Sequence, residues 1–202
     1  MKRFITLIFI TISLMSCVQE EEGPKSEFDV PLKWAHINDS KDWDSFLKTA
    51  LEQQAPELME KTPGDIQNFT KNYTRMNYNE RLNFWAYLVS IMAEKESNFN
   101  PKAFYKEAFY DANGNNVISR GLLQLSIESA RGYKCPVKDG PDLHDPEKNL
   151  ICTVLILKRW VLTDGVISGN SAGKWRGGAR YWSVLRKKNT LDFFTKHTLA
   201  NF

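Results

Sequence analysis

Helical spacing of apolar residues runs through most of this chain, and it constrains the fold more than any other feature. The first clear stripe follows an i, i+3, i+4, i+7, i+8 pattern and consists of Trp43, Phe46, Leu47, Ala50 and Leu51. Further helical segments are predicted at 81–95, 122–131, 147–162 and 177–187, with a last apolar segment at 191–194. No stretch alternates apolar and polar residues over a long strand. The chain is therefore predicted to be mainly helical.

One short segment interrupts the helical pattern. The dipeptide Asn113-Gly114 is a strong signal for a tight turn between two antiparallel strands. We therefore expect a small β-hairpin insertion near 105–118. It would lie inside a mainly α domain that spans 42–202, which gives an α+β arrangement.

A glutamate lies on the apolar side of the strongest predicted helix. The angular position of Trp85 around the helix axis is taken as zero, and each following residue advances by about 100°. Val89, Met92 and Glu96 then fall within roughly 40° of Trp85, whereas Glu94 falls on the opposite side. An unpaired carboxylate on a core-facing stripe is costly, and such a group responds with a raised pKa.

The end of the same helix adds to this effect. Asn98, Asn100 and Pro101 end the helix, so Glu96 lies near its last turn, where the helix dipole disfavours negative charge. Burial and dipole both favour a carboxylic acid that stays protonated near neutral pH, as general acid catalysis requires. The alternative is a structural glutamate paired with one of the arginines Arg75, Arg120 or Arg180.

The first residues have the pattern of an export signal. Lys2 and Arg3 precede an apolar stretch at 4–14 that is too short for a comfortable membrane span. Removal of 1–16 as a signal peptide takes away two basic residues, so 25 of the 27 remain against 24 acidic ones. No basic field is left to bind nucleic acid.

The end of the signal resembles a lipobox. In Leu14-Met15-Ser16-Cys17, Cys17 would become the lipidated first residue of a bacterial lipoprotein. The alternative is an ordinary secretory signal with Cys17 beside the cut. The polar segment 17–41 would then be a lipidated N-terminus and tether. We expect an exported protein, anchored to a membrane and facing the periplasm or cell wall.

Export also makes a disulfide possible. With Cys17 lipidated, Cys135 and Cys152 remain, and they bracket a proline-rich loop. A bridge between them would stabilise the fold by about 3 kcal/mol in the chain-entropy model. The alternative is two buried free thiols. No metal or cofactor is predicted, because the three histidines are isolated and no His/Cys pair has ligand spacing.

Four short motifs occur in a fixed order between residues 96 and 182. They are Glu96-Ser97-Asn98-Phe99-Asn100-Pro101, Gly121-Leu122-Leu123-Gln124, Asp145-Pro146-Glu147-Lys148-Asn149-Leu150 and Ala179-Arg180-Tyr181-Trp182. Each motif alone is weak, but four in order are specific. In these motifs the chain resembles the lysozyme-like lytic transglycosylases of the soluble-transglycosylase family, which cut the glycan of peptidoglycan.

The resemblance implies a catalytic role for Glu96 as general acid/base. It implies that Ser119, Gly121, Gln124 and Tyr181 contact the substrate, with Tyr181 near the Glu96 carboxyl. The implied partner is a peptidoglycan glycan strand, cut at the β-1,4 bond between MurNAc and GlcNAc to give an anhydro sugar. We expect a monomer. Without the resemblance, Gln124 would cap neighbouring backbone and Tyr181 would be a core aromatic.

The chain departs from the family pattern in ways that bear on the chemistry. Trp182 replaces the asparagine that follows the tyrosine, and the gap from Glu96 to Gly121 is longer than usual. The longer segment contains Glu107 and Asp111, either of which is a candidate second carboxylate. A second carboxylate would favour a lysozyme-type hydrolase, which brings water to the same carbon. A glycan-binding lipoprotein without catalysis is the third alternative.

Overall fold

Six α-helices and two β-hairpins make up residues 28–202, the part of the chain that the computed structural model describes. The helices are α1 (Trp43–Gln54), α2 (Pro56–Glu60), α3 (Tyr78–Ser97), α4 (Ile127–Gly132), α5 (Pro146–Asp164) and α6 (Lys188–Asn201). The strands are β1 (Phe104–Tyr110), β2 (Asn116–Arg120), β3 (Ser168–Ser171) and β4 (Lys174–Gly177). This mainly helical architecture with a small hairpin confirms the predicted fold class.

The central helix is α3, which passes through the core. Asn77 and Glu80 form a capping box at its start. Residues 82–93 are all buried, so the middle of the helix is covered on every side. Asn98 adopts a left-handed conformation with φ 50° and ends the helix. The last turn therefore leaves the core and carries Glu96 to its edge.

The predicted hairpin is formed by β1 and β2, which pair antiparallel. Its turn contains Asn113-Gly114, as predicted, and Gly114 has φ 80°. The register is interrupted between Lys106 and Tyr110, where β1 bulges. Four aromatic side chains of β1 are more than half exposed, namely Phe104, Tyr105, Phe109 and Tyr110. Exposed aromatic side chains in this number make the hairpin a candidate binding surface.

The helix predicted at 122–131 begins only at Ile127. Gly121 and Gln124 have positive φ values of 76° and 47°, so the chain makes a turn there that a helix does not allow. Arg120 and Leu125 pair across this turn as an isolated bridge. Because tertiary contacts hold the turn, the apolar pattern of this segment fills the core without forming a helix.

The helix predicted at 177–187 is absent. The segment contains two short 3-10 turns instead, Gly178–Arg180 and Ser183–Leu185. Gly177 ends β4 with φ 60°, and a Cβ atom there would lie 2.3 Å from the Val166 carbonyl oxygen. The close approach requires glycine and directs the chain out of a second hairpin, β3–β4, which the sequence pattern did not predict.

The predicted disulfide is present. Cys135 is bonded to Cys152, with their Cα atoms 5.0 Å apart. The bond joins the segment after α4 to the buried side of α5. A long irregular connection is thereby fixed against one of the two longest helices.

Packing of the domain begins before the predicted boundary at residue 42. Leu32 and Trp34 are 2% and 0% exposed, and the Asn83 side chain donates hydrogen bonds to the carbonyls of Phe28 and Val30. Residues 28–41 therefore lie against the helical core. The predicted signal peptide and Cys17 fall outside the described residues. Within 28–202, no helix is long and apolar enough to cross a membrane.

Candidate active site

A cavity of about 390 Å³ lies between the β1–β2 hairpin, the start of α4 and the segment that contains Tyr181. Five of the predicted site residues line it together, namely Glu96, Glu107, Ser119, Gln124 and Tyr181. Two others, Gly121 and Asp111, are not among its lining residues. Residues that are up to 85 positions apart in sequence thus meet in one cleft.

The Glu96 carboxyl is held in the condition that general acid catalysis requires. Burial, and after it the negative charge of Glu107, raise the pKa of this carboxyl from 4.5 to about 7. The positive charges of Lys187 and Arg186 oppose the shift without cancelling it. A substantial fraction of the protein therefore carries a protonated Glu96 near neutral pH, ready to donate a proton.

The structural alternative for Glu96 was an ion pair with an arginine, and the described fold does not form one. Arg180 forms a bidentate pair with Asp164, at 2.6 and 2.7 Å. Arg120 donates to the Ile118 carbonyl oxygen. Among residues 28–202, no side chain forms an ion pair with Glu96 within 4.0 Å. The carboxyl is left to face the cavity.

The two candidate second carboxylates lie in different surroundings. The Ser119 hydroxyl donates a 2.6 Å hydrogen bond to Glu107 Oε1, which fixes that carboxylate on the wall of the cavity. The Asp111 carboxylate instead accepts hydrogen bonds from the backbone N–H groups of Asn115 and Asn113, and these lower its pKa. Asp111 therefore stabilises the hairpin turn, and Glu107 is the carboxylate that shares the cleft with Glu96.

Gln124 combines the two roles that the sequence left open. Its side-chain amide donates to the carbonyl oxygens of Gly121, at 2.9 Å, and Ala103, at 3.3 Å, while the residue lines the cavity. Glycine is required at position 121 by packing rather than by contact with the cavity. A Cβ atom there would lie 2.0 Å from the Leu143 carbonyl oxygen, so close packing on the core side requires the glycine.

Tyr181 and Trp182 also line the cavity. The Tyr181 hydroxyl accepts a 3.4 Å hydrogen bond from the Ser126 backbone N–H. Burial raises the pKa of Tyr181, and the charge of Glu96, which lines the same cavity, adds a smaller contribution. Trp182 is buried, and its indole N–H donates to the Leu123 carbonyl oxygen. Trp182, which stands where the resemblance implies an asparagine, thus ties the cavity wall to the Gly121–Gln124 turn.

Comparison with known proteins relates this chain to a family. A family model described as the transglycosylase SLT domain matches residues 74–165, a range that contains Glu96, Glu107 and Gln124. Among solved structures, wild-type DslA is 43% identical over 84% of this chain and 95% of its own, with a TM-score of 0.81. The chain belongs to the SLT lytic transglycosylase family.

Two further DslA structures, each with one glutamate replaced by glutamine, match this SLT-family chain over the same coverage. Both are 42% identical to it, with TM-scores of 0.80 and 0.81. No curated protein sequence matches the chain. Because SLT-domain proteins act on peptidoglycan, this family member works in the extracellular or periplasmic space.

Sequence reasoning missed two residues that build the site of this SLT-family protein. Asn149 is fully buried; its amide donates to the Arg120 and Leu143 carbonyls and accepts from the Leu123 N–H. Arg186 lines the cavity and donates to the Ala179 carbonyl oxygen at 2.7 Å. The third motif contains Asn149, so its position in that motif was the available signal. No motif contains Arg186.

Proposed function

We propose that this protein cleaves the β-1,4 bond between MurNAc and GlcNAc in peptidoglycan, with Glu96 as the general acid. One observation carries the proposal, namely the Glu96 carboxyl with its pKa raised to about 7 in a cavity lined by polar side chains. A protein that only bound glycan would gain nothing from a desolvated carboxylate, because such a group is costly to keep.

The first chemical step follows from this carboxyl. Protonated Glu96 donates its proton to the glycosidic oxygen as the bond from that oxygen to the MurNAc anomeric carbon breaks. The GlcNAc hydroxyl leaves, and Glu96 becomes a carboxylate beside an electron-poor anomeric carbon. What next attacks that carbon decides the product.

Glu107 supports water as the attacking group. Its carboxylate is held by Ser119 on the wall of the same cavity, where it can take a proton from water as the oxygen adds to the anomeric carbon. Hydrolysis by a pair of carboxylates is the usual arrangement in glycosidases. We therefore propose hydrolysis, with a new reducing end, as the main outcome.

The spacing of the two glutamates agrees with the DslA structures. The substituted glutamates of that protein lie at its positions 143 and 154, eleven apart. Glu96 and Glu107 are also eleven apart in this chain. This spacing supports the two as a functional pair.

The family match favours a second candidate, the anhydro product that the sequence motifs imply. In that route the Glu96 carboxylate takes the proton of an internal MurNAc hydroxyl, which closes onto the anomeric carbon, and no water is used. Glu107 would then only shape the cleft.

Digestion of purified peptidoglycan in isotopically labelled water tests the proposal and separates the two products. Hydrolysis places labelled oxygen at each new end, and borohydride then reduces that end. Unlabelled ends that resist borohydride would reject hydrolysis in favour of the anhydro route. An intact polymer would reject catalysis and favour the glycan-binding alternative.

Phe109 is expected to contribute a stacking surface for sugar. It lines the cavity and is 58% exposed. Phe109→Ala should lower kcat/KM on polymeric glycan by about two- to tenfold, because an aromatic contact is removed. Phe104→Ala is the matched control, since Phe104 is 71% exposed on the same strand but does not line the cavity. Equal losses for both variants would contradict the assignment.

A further inference from the structure

A second groove, of about 670 Å³, lies beside the catalytic cleft. One side is the turn after α4, with Tyr133 and Lys134, and the other is the C-terminal half of α5, with Leu155, Lys158, Arg159 and Trp160. All charged side chains that line this groove are basic. The catalytic cleft contains Glu96 and Glu107, so the two sites differ in electrostatic character.

A row of aromatic rings joins the groove to the catalytic cleft. Tyr181, in the cleft, contacts Tyr133 edge to face, with ring centres 6.3 Å apart. Tyr133 in turn contacts Trp160, with ring centres 6.4 Å apart, and accepts a 2.6 Å hydrogen bond from the Trp160 indole. The groove therefore begins where one wall of the cleft ends.

Two of the groove's cations are available to a ligand. Lys158 is already paired with Glu57 at 2.8 Å. In the described chain, neither Lys134 nor Arg159 has an acidic side chain within 4.0 Å, and both side chains are exposed. The charge of these two residues is complementary to an anionic ligand.

The fold also fixes where Lys134 lies. Its backbone is left-handed, with φ 58°, in the turn that follows α4. The next residue, Cys135, is bonded to Cys152 on α5, the helix that forms the other side of the groove. The disulfide thus holds Lys134 beside α5.

We propose that this groove binds the acidic peptide stem of the glycan strand that occupies the catalytic cleft. The inference rests on the proposed function, and it adds the peptide part of the substrate to the glycan part. Stems bear free carboxylates, which suit Lys134 and Arg159, and apolar side chains, which suit Leu155 and Trp160. A four-residue stem extends about 13 Å, enough to cover both ring-to-ring steps.

The test compares two substrates, namely soluble glycan strands that carry stems and the same strands after an amidase has removed the stems. The Lys134→Gln, Arg159→Gln double variant should lose roughly three- to tenfold in kcat/KM on stem-bearing strands, as expected for two exposed charge contacts. Its kcat/KM on bare strands should not change. The control, Lys41→Gln with Lys71→Gln, makes the same charge change at exposed sites outside the groove and should match wild type on both substrates.

Equal losses on both substrates, or no loss on stem-bearing strands, would overturn the proposal. Failure of the wild-type protein to cut either strand would reject the proposed function instead. The groove is then judged by equilibrium binding, in which wild type should hold stem-bearing strands more tightly than bare ones and the double variant should not. Equal affinity of the wild-type protein for both kinds of strand would overturn the proposal that the groove binds the stem.

Discussion

Replacing Glu96 with glutamine is expected to abolish glycan cleavage while the protein stays folded and binds its substrate. Glutamine keeps the size of the side chain but cannot donate the proton, so the rate should fall roughly a hundred- to ten-thousand-fold. Turnover of purified peptidoglycan, measured with a binding assay on the same samples, checks both parts. The control is Glu94→Gln, since Glu94 lies two residues away and pairs with Lys33 and Lys95 outside the cavity. Near-wild-type turnover by Glu96→Gln would reject the assignment.

The same substitution should change how stability depends on pH. The pKa of Glu96 is about 7 in the folded state against 4.5 as the ordinary value, so the folded protein binds the proton more tightly. The contribution of Glu96 to the free energy of unfolding is fully present below about pH 4.5 and is lost as the pH rises through about 7. The loss is at most about 3 kcal/mol. Denaturant unfolding at several pH values should show this loss in wild type and not in Glu96→Gln, so the inactive variant is the more stable at pH 8.

Replacing Glu107 with glutamine is expected to have the second largest effect. If Glu107 takes the proton from water, the variant should lose hydrolysis by roughly a hundredfold or more. Removal of its negative charge should also lower the pKa of Glu96, because that charge is the second cause of the shift. The alkaline limb of the pH–rate profile of any residual activity should therefore move to lower pH. A residue that only shapes the cleft by size would not move it.

Asp111→Asn is the matched control for Glu107→Gln. It makes the same change of charge in the same hairpin, at a carboxylate that stabilises the turn. Its rate should stay within a few-fold of wild type, and its products should be unchanged. Wild-type hydrolysis by Glu107→Gln, with reducing ends still formed, would show that another group activates the water. A collapse in Asp111→Asn alone would move the second-carboxylate role to the turn.

The sequence predicted those parts of the fold that local pattern controls. Helices α1, α3 and α5 follow their apolar stripes, and the Asn113-Gly114 turn is where its dipeptide indicated. The position of Glu96 at the edge of the core, on an otherwise apolar side of α3, follows from the same periodicity, because the helix ends where that side leaves the core.

The predictions of local structure that were wrong concern segments whose conformation depends on contacts distant in sequence. Gln124 is held in a left-handed turn through Asn149, which lies 25 positions later, and nothing local to 122–131 reveals that clamp. Gly177 packs against the Val166 carbonyl at the end of the β3–β4 hairpin, and short 3-10 turns follow where a helix was predicted. The meeting of Glu107 with Ser119 likewise depends on the register of the hairpin, and the sequence could name Glu107 only as one of two candidates.

The Cys135–Cys152 bond also determines when in the life of each molecule the wall around Tyr133 becomes fixed. A newly made chain in a reducing cytoplasm keeps its thiols free, and the turn after α4 is then not covalently tied to α5. Oxidation comes only after the chain has left the cytoplasm. The cell wall lies in the space that the chain then enters. If the groove binds peptide stems as proposed, its two sides are joined covalently only in the compartment that contains the polymer.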